Sequence, residues 1–116
     1  MEELETLKLR LRKFANERDW NQFHSPKNLS MALIAEAGEL IEHFQWMTEK
    51  QSENLNVEKL KEVSDELADI QIYLVRLADI LGVNLAEESN RKMTANEMKY
   101  PAEKVKGSAK KYSEYD

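Results

Sequence analysis

Asn28–Met47 reads NLSMALIAEAGELIEHFQWM, and the reading of this stretch decides the fold. Leu29, Leu33, Leu40 and Phe44 recur at helical spacing, which predicts one amphipathic helix with a buried face. Glu36 and Glu39 lie inside that apolar run. Residues three apart share a helix face, so both acids point the same way. Buried carboxylates are normally paired with a cation or bound to a metal, because desolvating them is expensive. No Lys or Arg occurs between Asn28 and Thr48, and His43 is the only local group that can become cationic. A second helix, predicted over Glu58–Leu81, repeats the pattern. There Glu66 and Asp69 are again three apart, flanked by Val63, Leu67, Ile70 and Leu74. Two such pairs facing each other would gather four carboxylates into a site for hard cations, Mg²⁺ or Mn²⁺.

Composition agrees with a helical chain. Gly and Pro number only 3 and 2 in 116 residues, and β-branched residues are sparse, which favours one all-α domain. That length can bury a core but leaves little wall for an enclosed ligand pocket. The formal charge of −5 argues against a partner that is a nucleic-acid polymer, which needs a basic surface. No apolar run reaches the roughly 20 residues of a membrane span, so no membrane partner is expected. The absence of Cys and the acidic, periodic N-terminus, unlike a signal peptide, suggest a cytoplasmic protein.

Ahead of the acidic helix, Leu4, Leu7, Leu11 and Phe14 mark a core-facing helix from Glu2 to about Arg18. Asp19–Lys27, DWNQFHSPK, breaks the pattern. Ser25-Pro26 is a helix start, Ser as N-cap and Pro at the first helical position. Trp20, Phe23 and His24 then sit in a connector, where rings with polar handles either cap the core or stack on a planar ligand. Gly38, between the two glutamates, would let something approach the backbone. His43 is read as hydrogen-bonded structure. Glu49–Val57 reads as a polar loop. In the next helix, Val63, Leu67, Ile70, Leu74, Leu77 and Leu81 form an apolar stripe. Glu62, Glu66, Asp69, Tyr73 and Arg76 form a neighbouring one, with Glu62 as an auxiliary acid and Asp65 turned to solvent. Gly82 ends this helix. A fourth, less apolar helix runs from Leu85 to about Lys99. Its Asn90, Lys92, Asn96 and Lys99 either form a solvated face or reach an anion. Tyr100-Pro101 ends it, and residues 102–116 read as a loosely ordered tail after a domain of residues 1–101.

Metal ions held by two acid pairs suit a phosphate ester or nucleotide as substrate, because Mg²⁺ usually shares its oxygen ligands between carboxylates and phosphates. With 22 acidic residues in the chain such spacings also arise by chance, and burial is what argues for a metal. A di-iron carboxylate bundle needs Glu-x-x-His, and neither His24 nor His43 has a glutamate three residues before it. The other reading is a non-catalytic helical interaction module whose acids only contact a partner protein.

The run FANERDWNQFHSPKNLSMALIAEAGELIEHFQW, followed by EVSDELADIQIYLVRLADILGVNL and KMTANEMKYP, resembles the MazG-like all-α nucleoside triphosphate pyrophosphohydrolases. The likeness is greatest to their dCTP pyrophosphatase branch and covers about Phe14 to Pro101. The resemblance implies a four-helix, MazG-type fold assembled as a homodimer or homotetramer. It implies Mg²⁺-dependent hydrolysis of a nucleoside triphosphate to monophosphate and pyrophosphate, with dCTP or a 5-modified dCTP as the first-choice substrate, then dUTP or a broad range. Carried over, the metal ligands fall on Glu36, Glu39, Glu66 and Asp69, with Glu36 and Glu39 as candidate general bases. Base and sugar contacts fall on Trp20, His24, Trp46 and Tyr73. Lys92 and Asn96 match the family's C-terminal K…N pattern, expected near the phosphates.

Overall fold

The structure is a computed structural model and describes residues 2–109. All regular structure among them is helical. The helices are α1 (Glu2–Glu17), α2 (Pro26–Phe44), α3 (Glu49–Ser52), α4 (Val57–Leu81), α5 (Leu85–Lys99) and α6 (Ala102–Val105), with a 3₁₀ turn at Asn21–Phe23 between α1 and α2. None is long and apolar enough to cross a membrane. The chain divides after Val83 into two compact units.

In the first unit α2 and α1 both pack on α4. Local chemistry sets the helix ends. Ser25 Oγ accepts from the Asn28 amide at 3.1 Å, and Pro26 sits just inside α2, as expected. Asn56 caps α4 in the same way, accepting from the Lys59 amide at 2.8 Å. Gly82 closes α4 in the left-handed conformation, φ 72°, and the Val83 amide reaches back to the Ala78 carbonyl. The end of α1 uses the same device without glycine. Asp19 takes φ 55°, and the Trp20 amide donates to the Ala15 carbonyl at 2.9 Å. Asp is among the few residues that tolerate this region. The turn redirects the chain so that Trp20 meets Phe14 edge-on, with ring centroids 5.5 Å apart.

Two expectations need correction. The stretch Glu49–Val57 is not all loop. Thr48 and Gln51 form a reciprocal capping box that starts the short helix α3. The apolar stripe of α4 is a core face only in part: Val63 is buried and Ile70 and Leu77 are half-buried. Leu67, Leu74 and Leu81, with Leu60, are between 40% and 56% exposed. The buried members of the unit are Ala15, Leu29, Val63, Val75, Ala78 and, against expectation, Arg76. Two helices can cover only one side of a 25-residue helix, so the leucines spaced seven apart stay on its uncovered side.

In the second unit Asn84 caps α5, accepting from the Glu87 amide at 3.0 Å. Glu87 and Glu88 lie in its first turn and Lys99 in its last, which suits the helix dipole at both ends. The tail expected over residues 102–116 begins with the single helical turn of α6, and its last residues, 110–116, lie outside the described range.

Candidate active site

Glu36 and Glu39 project from α2 towards Glu66 on α4. One carboxylate oxygen of each of the three lies within 4.8 Å of the others. Glu36 and Glu66 are half-buried and Glu39 is exposed. Among the described residues, none of the ion pairs includes Glu36, Glu39, Glu66 or Asp69. The Oε2 atoms of Glu36 and Glu66 are fully enclosed and, among the described residues, have no hydrogen-bond partner. Like charges this close cannot all ionise easily. The Glu36 carboxyl is accordingly pushed up to about 7. The largest cause is its hydrogen-bonding contact with Glu66, followed by burial, then by Glu39 and the charge of Asp69. An unsatisfied, enclosed cluster of carboxylate oxygens is the donor set a hard divalent cation takes. The residues present therefore fit such an ion.

Glu36 and Asp69 also line a cavity of about 310 Å³, together with Trp20, His24, Tyr73, Phe14, Leu11, Leu29, Ile72 and Arg76. Two of the four expected metal ligands, Glu36 and Asp69, and three of the four expected base or sugar contacts thus share one space. It holds apolar walls, aromatic rings and a few convergent polar groups, as a small-molecule site does. Trp20 and His24 meet edge-on, with centroids 6.4 Å apart. A larger concavity of about 570 Å³ by the α2–α4 connection contains Lys50 and Lys59 but none of the clustered acids. Trp46 is 88% exposed and is not among the residues lining the 310 Å³ cavity. Lys92 and Asn96 lie four apart on α5, one exposed and one half-buried, in the other unit.

Glu62 is no auxiliary acid of the cluster. Its carboxylate lies 3.1 Å from Lys59 Nζ and 3.7 Å from His43 Nδ1. His43 is structural, as expected, and faces Lys59 Nζ at 3.3 Å. Asp65 turns to solvent and pairs with Lys61. A Cβ added to Gly38 would meet, among the described residues, nothing within 4 Å beyond its own stretch of helix.

Sequence reasoning gave Arg76 no role, yet it is 6% exposed at the cavity wall. Its Nε donates to His24 Nδ1 at 3.1 Å and one terminal nitrogen donates to Asn21 Oδ1 at 2.6 Å. The other lies 3.5 Å from Asp79 Oδ2. Asp79 in turn accepts two bonds from Arg12, at 2.8 and 2.7 Å. Those bonds hold the Asp79 carboxyl below its usual range despite its burial. Burial, and then the Arg76 charge, push the His24 imidazole down. A signal was present: Arg76 continues the Glu66–Asp69–Tyr73 line on one face of α4, beside Val75 and Leu77. Arg12 and Asp79, 67 residues apart, carried none.

The MazG-like family matches residues 32–115 of the chain. The chain is 43% identical over 103 residues to a human protein named dCTP pyrophosphatase 1, and 44% identical over 103 residues to the mouse protein of that name. Each match covers 87% of this chain but 61% of the relative, so the chain spans less than two thirds of their length. The structure is also similar to the crystal structure of a pyrophosphatase from Archaeoglobus fulgidus, with a TM-score of 0.75 and 41% identity, covering 85% of this chain and 93% of that one.

Proposed function

The chain belongs to the MazG-like family, and on that premise we propose that it is a nucleoside triphosphate pyrophosphohydrolase. Its reaction cleaves dCTP or a modified dCTP to the monophosphate and pyrophosphate, in the cytoplasm. The observation that carries this reading is the convergence of Glu36, Glu39 and Glu66 within 4.8 Å, with two enclosed oxygens lacking partners, beside a cavity lined by aromatic rings.

In this reading Glu36, Glu39, Glu66 and Asp69 hold Mg²⁺, or Mn²⁺ in its place. Bound there, the cation supplies charge to offset the triphosphate and to acidify the attacking water. The protein's own groups do the rest. Glu36 or Glu39 accepts the proton of that water. Trp20 and Tyr73 offer rings for the base, and His24 offers a polar contact to the nucleoside. Lys92 and Asn96 are assigned to the phosphates and Trp46 to the base, on the strength of the family pattern.

The uncovered stripe Leu60, Leu67, Leu74 and Leu81 supports assembly. With Met31, Ile34 and Ile41 exposed on α2, it leaves an apolar helical face of the kind that a second copy covers in a helical bundle. We assign the active form to a homodimer or homotetramer with a bundle of four helices completed across that face.

The test is incubation with a panel of deoxynucleoside triphosphates and Mg²⁺, with pyrophosphate as readout. dCTP or its 5-modified form should be turned over fastest, and EDTA should abolish turnover. The reading fails if no nucleotide is hydrolysed, or if Glu36→Gln works as fast as the wild type. A helical interaction module would give that result.

A further inference from the structure

Arg76 is a buried cation in the wall of the nucleoside cavity, and the proposed reaction leaves it without a task. Buried arginines usually serve either a phosphate or a structural anion. Its geometry fits neither role alone. Each of its three guanidinium nitrogens faces a protein acceptor: His24 Nδ1, Asn21 Oδ1 and, more distantly, Asp79 Oδ2. The fork is therefore aimed at the 3₁₀ turn that carries His24, and away from a phosphate. Asp79, which anchors it, is itself held in two-point contact by Arg12. The far end of the brace is thus anchored within the chain itself.

The chemistry of the first of these bonds is decisive. An arginine nitrogen can only donate, so His24 Nδ1 must accept and cannot carry a proton. The single proton of the neutral ring is then on Nε2. Among the described residues nothing accepts from Nε2, while the ring lines the cavity beside Trp20 and Tyr73. We propose that Arg76 is a positioning residue that fixes His24 in one orientation and one tautomer, so that the cavity presents an Nε2–H donor to an acceptor atom of the nucleoside. The substrate class that matches is a nucleotide whose base or sugar offers an oxygen or unprotonated ring nitrogen at that wall. This deepens, and for its kinetic part rests on, the pyrophosphohydrolase reading.

The first readout needs neither variant nor turnover. Long-range nitrogen–proton correlation NMR on isotope-labelled protein distinguishes the two ring nitrogens of each of the two histidines. His24 should carry its proton on Nε2 in the wild type and populate both tautomers in Arg76→Met. That variant keeps the aliphatic stem, and Asp79 keeps Arg12 as its partner. With dCTP, Arg76→Met should raise KM about tenfold, the effect of one lost oriented hydrogen bond, with a smaller change in kcat. In a His24→Ala background the same substitution should leave KM unchanged, since the group it positions is gone. The proposal is overturned if wild-type His24 is protonated on Nδ1, or if Arg76→Met raises KM equally in both backgrounds. Should the wild type hydrolyse no nucleotide, the functional reading falls, while the tautomer still decides whether Arg76 positions His24.

Discussion

Along α4, Glu66 and Asp69 stand about 10–15 Å of helix away from Arg76, and the two ends of that line are built in opposite ways. At one end, carboxylates from α2 and α4 crowd together, and among the described residues none of the ion pairs includes them and two enclosed oxygens lack a partner. At the other, Arg76, Asp79, Arg12, Asn21 and the Nδ1 side of His24 satisfy one another within the protein. Both ends reach the same cavity wall. The satisfied network is a preformed wall. The crowded carboxylates are the part of the site that the proposed divalent cation would complete.

The sharpest way to break this comparison is to make the finished end resemble the unfinished one. Asp79→Ala removes the anchor of a buried guanidinium and should cost about 3–5 kcal/mol of stability, read from urea unfolding. A loss below about 1 kcal/mol would mean that the network is not a unit. At the acidic end the sign reverses. Glu36→Gln should lower pyrophosphate release by about 100-fold or more. The same substitution should raise the melting temperature of the metal-free protein, because it removes repulsion. If activity and bare stability fall together, Glu36 is structural.

The two ends should also respond oppositely to pH in EDTA. The folded-state value of Glu36 lies above its ordinary 4.5, at about 7. Its contribution is therefore fully present below pH 4.5 and lost as pH rises through about 7. The Asp79 value is depressed, so its contribution is present above its ordinary 3.8 and lost as pH falls below that. Chemical unfolding across pH 3 to 8 should show a maximum on the acid side of neutrality, and added Mg²⁺ should flatten the fall towards pH 8. A profile that rises steadily to pH 8 without metal would contradict the clustering of the acids.

Smaller effects test how local the contrast is. Gly38 lies between the two glutamates and faces open space. Gly38→Ala should add about 0.5–1 kcal/mol to stability through helix propensity. A simultaneous collapse of activity would show that another molecule approaches the backbone there. Asp65→Asn, next to Glu66 but paired on the surface with Lys61, should cost no more than about 0.5 kcal/mol and leave turnover intact. If it inactivates the protein, the choice of Glu66 over Asp65 as the inward acid is wrong.

Much of the site was legible because helical periodicity is a local property. A spacing of three puts Glu36 with Glu39, and Glu66 with Asp69, on one face whatever surrounds them. The Ser25-Pro26 start, the Gly82 stop and the spans of α2, α4 and α5 follow from equally local chemistry. Glu62 shows the limit. It shares the face of Glu66, but its neighbour Lys59 and the distant His43 claim it.

The amino-acid order by itself determined an all-helical chain with two acidic faces, because angle around a helix axis depends only on residue number. Tertiary structure alone decided which faces meet. It exposed the Leu60–Leu81 stripe by leaving one side of α4 uncovered. It also joined Arg12 to Asp79 and Arg76 to His24 across 67 and 52 residues. Those pairings depend on how helices cross and turns redirect the chain, and no local pattern encodes that.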